Sequence, residues 1–341
     1  MRRTFTIVAW MACAVFALHA QDGPYKPVGE IKIGGEGGWD YLSVDSGAKR
    51  LYISHATKAV VVDLSKNAVI GEIADTPGIH GAIAVPPDRV FTSNGRGNNA
   101  SIVDAKTLQT LSKVETEGNP DSILYEPKQK EVYTFNGRGN SASVIGAASG
   151  KVVATIPLGG KPEAAVTDGA AGRIYVNIED RNSVAVIDIA KHAVVANWPI
   201  APGEEASGMA IDLKTHRLFI GASNKLMLMM DSTNGKIVGQ VPIGPGVDST
   251  WFDPQNQYAF SSCADGTTTI AHEDSPDKLT VVQVLKTGPG ARTMALDPAT
   301  HRIYLPTAEF NPPPAGAAPG RGRPSMVANT MRILIFGING K

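Results

Sequence analysis

The chain has 341 residues, 43% of them hydrophobic, with 36 Gly and 23 Pro but only 6% aromatics. That length supports a large core, and no long stretch keeps a helical apolar period, so many short strands joined by many turns are expected. Lys and Arg (32) balance Asp and Glu (32), which argues against the basic footprint of a dedicated nucleic-acid binder.

In chain order, residues 1–20 read as a secretory leader. Arg2 and Arg3 precede an apolar stretch from Ile7 to Leu18, and Ala20 offers the cleavage point. That stretch is too short for a comfortable membrane span and no second one follows. The mature chain is therefore expected to be periplasmic or secreted, without a membrane span, through a general or a twin-arginine route. Losing Arg2 and Arg3 with the leader leaves 30 basic against 32 acidic residues. Cys263 is then the one cysteine left, so no internal disulfide forms despite an oxidising destination.

From about residue 25 to 341 one frame of roughly 42 residues repeats seven times, which predicts a single domain. A first strand ends at Asp45, Pro86, Glu126, Asp168, Asp212, Asp253 and Asp297, at intervals of 41, 40, 42, 44, 41 and 44. A second-strand aromatic keeps the same beat at Tyr52, Phe91, Tyr133, Tyr175, Phe219, Tyr258 and Tyr304. A Val-rich third strand and a fourth of the form Val-Val-x-x-Ile-Pro-Ile complete each unit. Such units bury their faces only against one another, so the prediction is all-β: a seven-bladed propeller of four-stranded antiparallel blades.

The ends of the chain predict how the ring closes. The seventh unit has Thr293–Leu296, His301–Leu305 and Met331–Phe336, and lacks a fourth strand. Lys26–Gly34 resembles the fourth strand Lys236–Gly244, so a strand at about 26–34 is expected to complete the last blade. Residues 311–326 break the beat with Asn311-Pro312-Pro313-Pro314 and an Ala/Gly/Pro run carrying Arg321 and Arg323. This composition suits an unpacked or polyproline loop, either a flap over the channel or a tolerated insertion.

Arg173-Ile174-Tyr175-Val176-Asn177, followed by Val184-Ala185-Val186-Ile187-Asp188, resembles the YVTN-type propeller repeat. The span from about 25 to 341 is similar to bacterial YncE-type exported proteins. The resemblance implies a seven-bladed ring, an exported location and, for YncE itself, single-stranded DNA binding. It says little about function, because propellers of this shape also serve as enzymes or oxidoreductase subunits.

Strand direction assigns a working face. Five residues before each first-strand end stand Asp40, Gly81, Asp121, Glu163, Ser207, Asp248 and Arg292, with His80 beside Gly81. These are expected to encircle one mouth of the central channel. The second-to-third loops return to that face with His55, Arg96, Arg138, Asp180 and Glu309. The carboxylates suit a cation or cationic ligand, and the arginines suit a carboxylate or phosphate. A plainer role is open to each, as a contact to the next blade, and Asn94-Gly95 and Asn136-Gly137 read as hairpin chemistry. His192, His216, His272 and His301 fall on the opposite face, where solvent exposure accounts for them.

No nucleophile elbow, Walker loop, dinucleotide fingerprint, haem motif or zinc cysteine set occurs. Cys263 reads as an inert thiol. The expectation is a monomeric binding or interaction protein that takes a small ligand, peptide or protein partner at the channel mouth and requires no cofactor. The alternative is an enzyme, lyase- or lactonase-like or a metal- or quinone-linked oxidoreductase component, with His80 and Asp121 as catalytic groups. No metal is predicted, and His55 with His80 is the pair that would hold one. DNA binding needs a positive groove with aromatic platforms, whereas acids here match the arginines and Trp39 is almost the only platform.

Overall fold

The computed structural model describes residues 23–312 and 325–340. The proposed leader and most of the Pro-rich insertion lie outside these residues. Among the described residues the strands form seven four-stranded antiparallel sheets. The inner strands of blades one to seven are Trp39–Asp45, Ile79–Val85, Pro120–Glu126, Pro162–Asp168, Ala206–Asp212, Val247–Asp253 and Ala295–Asp297. Each inner strand packs on the next around the ring, and the seventh returns to the first.

The repeat has a local cause. The carboxylate ending an inner strand accepts backbone N–H groups of the turn that follows. Asp168 caps Ala171, Asp253 caps Gln255 and Asp297 caps Ala299. This is Asx-turn chemistry, which fixes the hairpin to the second strand. Second and third strands are buried along nearly their whole length, as in Arg173–Ile178 and Ser183–Asp188. They lie mid-blade with a neighbouring blade on each face, which is why they read as unbroken apolar runs. Fourth strands such as Lys151–Pro157 are mostly exposed and alternate more with polar residues.

Seven separate apolar clusters form, one at each junction between adjacent blades. The recurring aromatic supplies much of this packing. Phe219, for instance, stacks on Phe252 of the next blade with centroids 4.7 Å apart. No blade has a core of its own, so the ring is the smallest stable unit.

Closure follows the expected plan. Tyr25–Lys32 pairs antiparallel with Arg332–Ile338 and becomes the outer strand of blade seven. Tyr25 is fully buried, and Gln283 of blade six clasps its backbone: Tyr25 N–H donates to Gln283 Oε1 at 2.9 Å and Gln283 Nε2 donates to Tyr25 O at 2.9 Å. Gln283→Ala leaves two buried main-chain groups unpaired, a loss of about 1–3 kcal/mol. Chemical denaturation should show it, and an unchanged midpoint would refute the clasp.

Two details depart from expectation. Asn94 and Asn136 are buried strand residues rather than hairpin tips. Asn94 Nδ2 donates to Asn99 and Ser101, and Asn136 Nδ2 donates to Ser141 and Ser143. The left-handed residues sit four positions later, at Asn98 and Asn140. The opposite-face histidines are not merely solvated. His192 meets Glu131 at 3.0 Å and His301 meets Asp253 at 2.8 Å, each reaching the preceding blade. His272 contacts Asp274 within its own blade at 2.7 Å.

Candidate functional site

The mouth of the channel is built from irregularities in the inner strands. In the first six blades the inner strand carries a one-residue surplus against its partner: Trp39 pairs with His55 but Leu42 with Ile53, and Ile79 pairs with Asn94 but Gly81 with Ser93. The other four show the same step. Asp40, His80, Asp121, Glu163, Ser207 and Asp248 all lie within it. A bulge frees a side chain from the alternation of the strand and re-aims it.

Blade two corrects the counting. Its inner strand ends at Val85, which pairs with Arg89, so its turn is one residue shorter than Asp45 to Arg50. The ring position there belongs to His80 itself, not to Gly81. Serine and threonine hydroxyls then staple the mouth from blade to blade. Thr293 Oγ1 donates to Asp40 O, Ser122 Oγ to Glu163 O, Ser207 Oγ to Val247 O and Ser262 Oγ to Arg292 O.

The ring side chains form a chain of ion pairs. Arg292 Nε donates to Asp248 Oδ2 at 2.5 Å, and Arg292 Nη2 lies 3.6 Å from Asp40 Oδ1. His80 Nδ1 is 2.6 Å from Asp40 Oδ2 and 3.4 Å from Asp121 Oδ1. On the far side Lys161 Nζ is 2.7 Å from Glu163 Oε1 and also contacts Glu179. The Tyr41 hydroxyl reaches across the channel from blade one and donates to Glu163 Oε2 at 3.4 Å.

Burial and crowding shift these groups. Burial raises the Asp121 carboxyl to about 7, with Asp40 and Asp248 adding to the rise and His80 opposing it. Burial raises Glu163 to about 8, helped by the Asp121 charge and opposed by Lys161. For His80, burial disfavours the charged ring, but the Asp40 hydrogen bond and the Asp121 charge outweigh it and raise its pKa. Burial and the nearby carboxylates hold Tyr41 well above the usual phenol value, so it remains a donor.

The remaining expected residues do not join this ring. His55 is buried, only 1% exposed. It lies under Gly35, whose φ is +79° and where a Cβ would come within 2.6 Å of His55 Nε2. Burial keeps the His55 imidazole below its ordinary value, hence neutral. Among the described residues the His-carboxylate group that gathers, with donor atoms within 4.8 Å, is Asp40, His80 and Asp121, and His55 is not part of it. Arg96, Arg138, Asp180 and Glu309 are exposed on the outer loops, and Asp180 Oδ1 accepts the Lys161 N–H at 2.8 Å. Trp39 is buried against Phe310, with ring centroids 6.1 Å apart, and is not a stacking platform. Cys263 is fully buried, and burial raises its thiol out of reach of nucleophilic chemistry.

Two members lie outside the counted ring positions. Tyr41 follows a ring residue inside the bulge, where strand alternation no longer predicts direction. Lys161 precedes its strand, though its spacing of two before Glu163 was a usable signal.

Below the ring the channel widens into a cavity of about 500 Å³, lined in part by Tyr41, Ile83, Tyr125, Ala210, Trp251 and Phe252. No family model and no curated protein matches the chain. Solved structures do. It is similar to hydrazine synthase of Kuenenia stuttgartiensis, with a TM-score of 0.68 and 17% identity over 86% of this chain and 96% of that one. It is also similar to a chain in the crystal structure of the mitotic checkpoint complex, with a TM-score of 0.73 and 12% identity over 99% and 98% of the two chains. At such identities the likeness defines the class, a seven-bladed β-propeller, and nothing narrower.

Proposed function

We propose that this chain is an exported binding propeller that takes a small ligand at the ringed mouth of its channel. One observation carries the reading. Charged side chains from six blades converge on one ring, Asp40, His80, Asp121, Glu163, Asp248 and Arg292, directly above a cavity of about 500 Å³. Pockets of that size with a few convergent polar groups are the common form of small-molecule sites. The bulges and hydroxyl staples hold those groups in place before any ligand arrives.

The test is a thermal-shift panel of cationic, anionic and neutral small molecules on the mature protein, run beside the Asp121→Asn, Glu163→Gln double variant. A true ligand at one hundred times its Kd stabilises by about 2.7 kcal/mol. The reading expects at least one class to raise Tm in the wild type and to lose that effect in the variant. If nothing in the panel distinguishes the two proteins, the mouth is not the site.

A catalytic reading has one observation in its favour. Asp40 orients His80 through Nδ1 at 2.6 Å, as a carboxylate orients an imidazole in acid–base catalysis. Its neighbours raise the His80 pKa and so favour the protonated ring, the form that donates a proton. Loss of a defined turnover in His80→Ala would establish it. Single-stranded DNA is poorly suited to this mouth, where carboxylates meet the phosphate backbone and Trp39 offers no face.

A further inference from the structure

This inference rests on the channel-mouth reading and names the chemistry of its ligand. With every carboxyl ionised, charges at the ring do not balance. Asp40, Asp121, Glu163, Asp248 and the adjoining Glu179 face three cations, Arg292, His80 and Lys161. Each of those cations is already divided between two carboxylates. An incoming anion meets uncompensated negative charge, and a neutral ligand leaves that charge unrelieved.

The cavity adds a second, independent requirement. Its wall is largely apolar, with Ile83 and Ala84 beside Tyr125 and Trp251. Tyr41 joins the two zones, because it lines the cavity while its hydroxyl touches the Glu163 carboxylate at 3.4 Å. A small metal ion at Asp40, His80 and Asp121 would use the first zone and ignore the second. A ligand with a cationic head and an apolar body uses both, and aromatic walls also favour a cation at their edge.

We infer that the channel takes an amphiphilic monocation, a primary ammonium on an alkyl or arylalkyl chain. The ammonium sits against Asp121 and Glu163, and the chain lies in the cavity beside Tyr41 and Trp251. The raised carboxyl groups agree with a site short of positive charge. No bond is made or broken in this step; it is binding alone.

Octylamine is the probe, with octanol and octanoate as matched controls, titrated calorimetrically into the mature protein at pH 8. Trp251 lies in the cavity wall and gives a fluorescence readout. Octylamine is expected to bind while octanoate does not. Asp121→Asn and Glu163→Gln should each weaken it at least tenfold, and so should shortening the chain to butylamine. Ala84→Phe places a ring at a cavity-lining position outside the charged ring, so it should abolish the dependence on chain length. Equal binding of octanol or octanoate overturns the ligand class, as does indifference to chain length or binding of Zn²⁺ or Mn²⁺ in place of octylamine. Each of those results leaves the mouth as a site for something else. If this series and the wider panel are both silent, the site reading falls with it.

Discussion

Removing residues 23–33 is expected to unfold the protein rather than trim it. Seven pairings between Tyr25–Lys32 and Arg332–Ile338 would be lost. Tyr25 and Ile31, 0% and 2% exposed, would leave their clusters at a cost of about 1.5–3 kcal/mol each. The strand Arg332–Ile338 would become an open edge and Gln283 would lose its partner. Together these losses approach the whole stability of an ordinary domain, about 5–15 kcal/mol. Circular dichroism and thermal melting of the shortened chain should show loss of cooperative structure, with partial recovery when a peptide of residues 23–33 is added. A shortened chain that melts within a few degrees of the full one would mean the ring does not depend on this strand.

Stability is expected to fall as pH rises from 5 to 8.5. Asp121 and Glu163 have folded values raised to about 7 and about 8, far above their unfolded values near 4. Between those limits the folded chain holds protons that the unfolded chain has released, so each step up in pH favours unfolding. His80 acts in the same direction: its raised value contributes stability below its unfolded pKa, and that contribution is lost as pH passes the folded one. The two carboxyls are coupled, so their effects do not add, and a combined loss on the order of 3–4 kcal/mol is expected. Urea midpoints across the range measure it. In the Asp121→Asn, Glu163→Gln variant most of the slope should vanish; a flat or rising wild-type profile would contradict the assignment.

The ring architecture and its closure were legible in the sequence because they depend on repeated chemistry. An Asp that caps a turn, an aromatic that fills a blade junction and a Lys26–Gly34 segment that imitates Lys236–Gly244 each leave a local mark. The site was legible only in outline. The count placed Asp40, Asp121, Glu163, Asp248 and Arg292 on the ring, yet it slipped at blade two, where the turn after Val85 is one residue shorter. His55 belonged to the same loop pattern as the arginines but is buried under the Gly35 backbone, a close approach that spacing does not reveal. His192 and His301 misled for a similar reason, since their carboxylate partners sit one blade back and about fifty to sixty residues away.

The surplus residue in six inner strands separates two duties that a regular strand must combine. Register is kept by the residues on either side of the step, so the residue within it is free to vary without renegotiating the pairing. The mouth therefore behaves as a set of separately editable addresses on a common frame. Exchanging Glu163 for glutamine, for instance, rewrites the charge pattern that a visiting molecule meets while the blades continue to stack as before. Diversification of what such a ring recognises needs no change of architecture, only new letters at the steps.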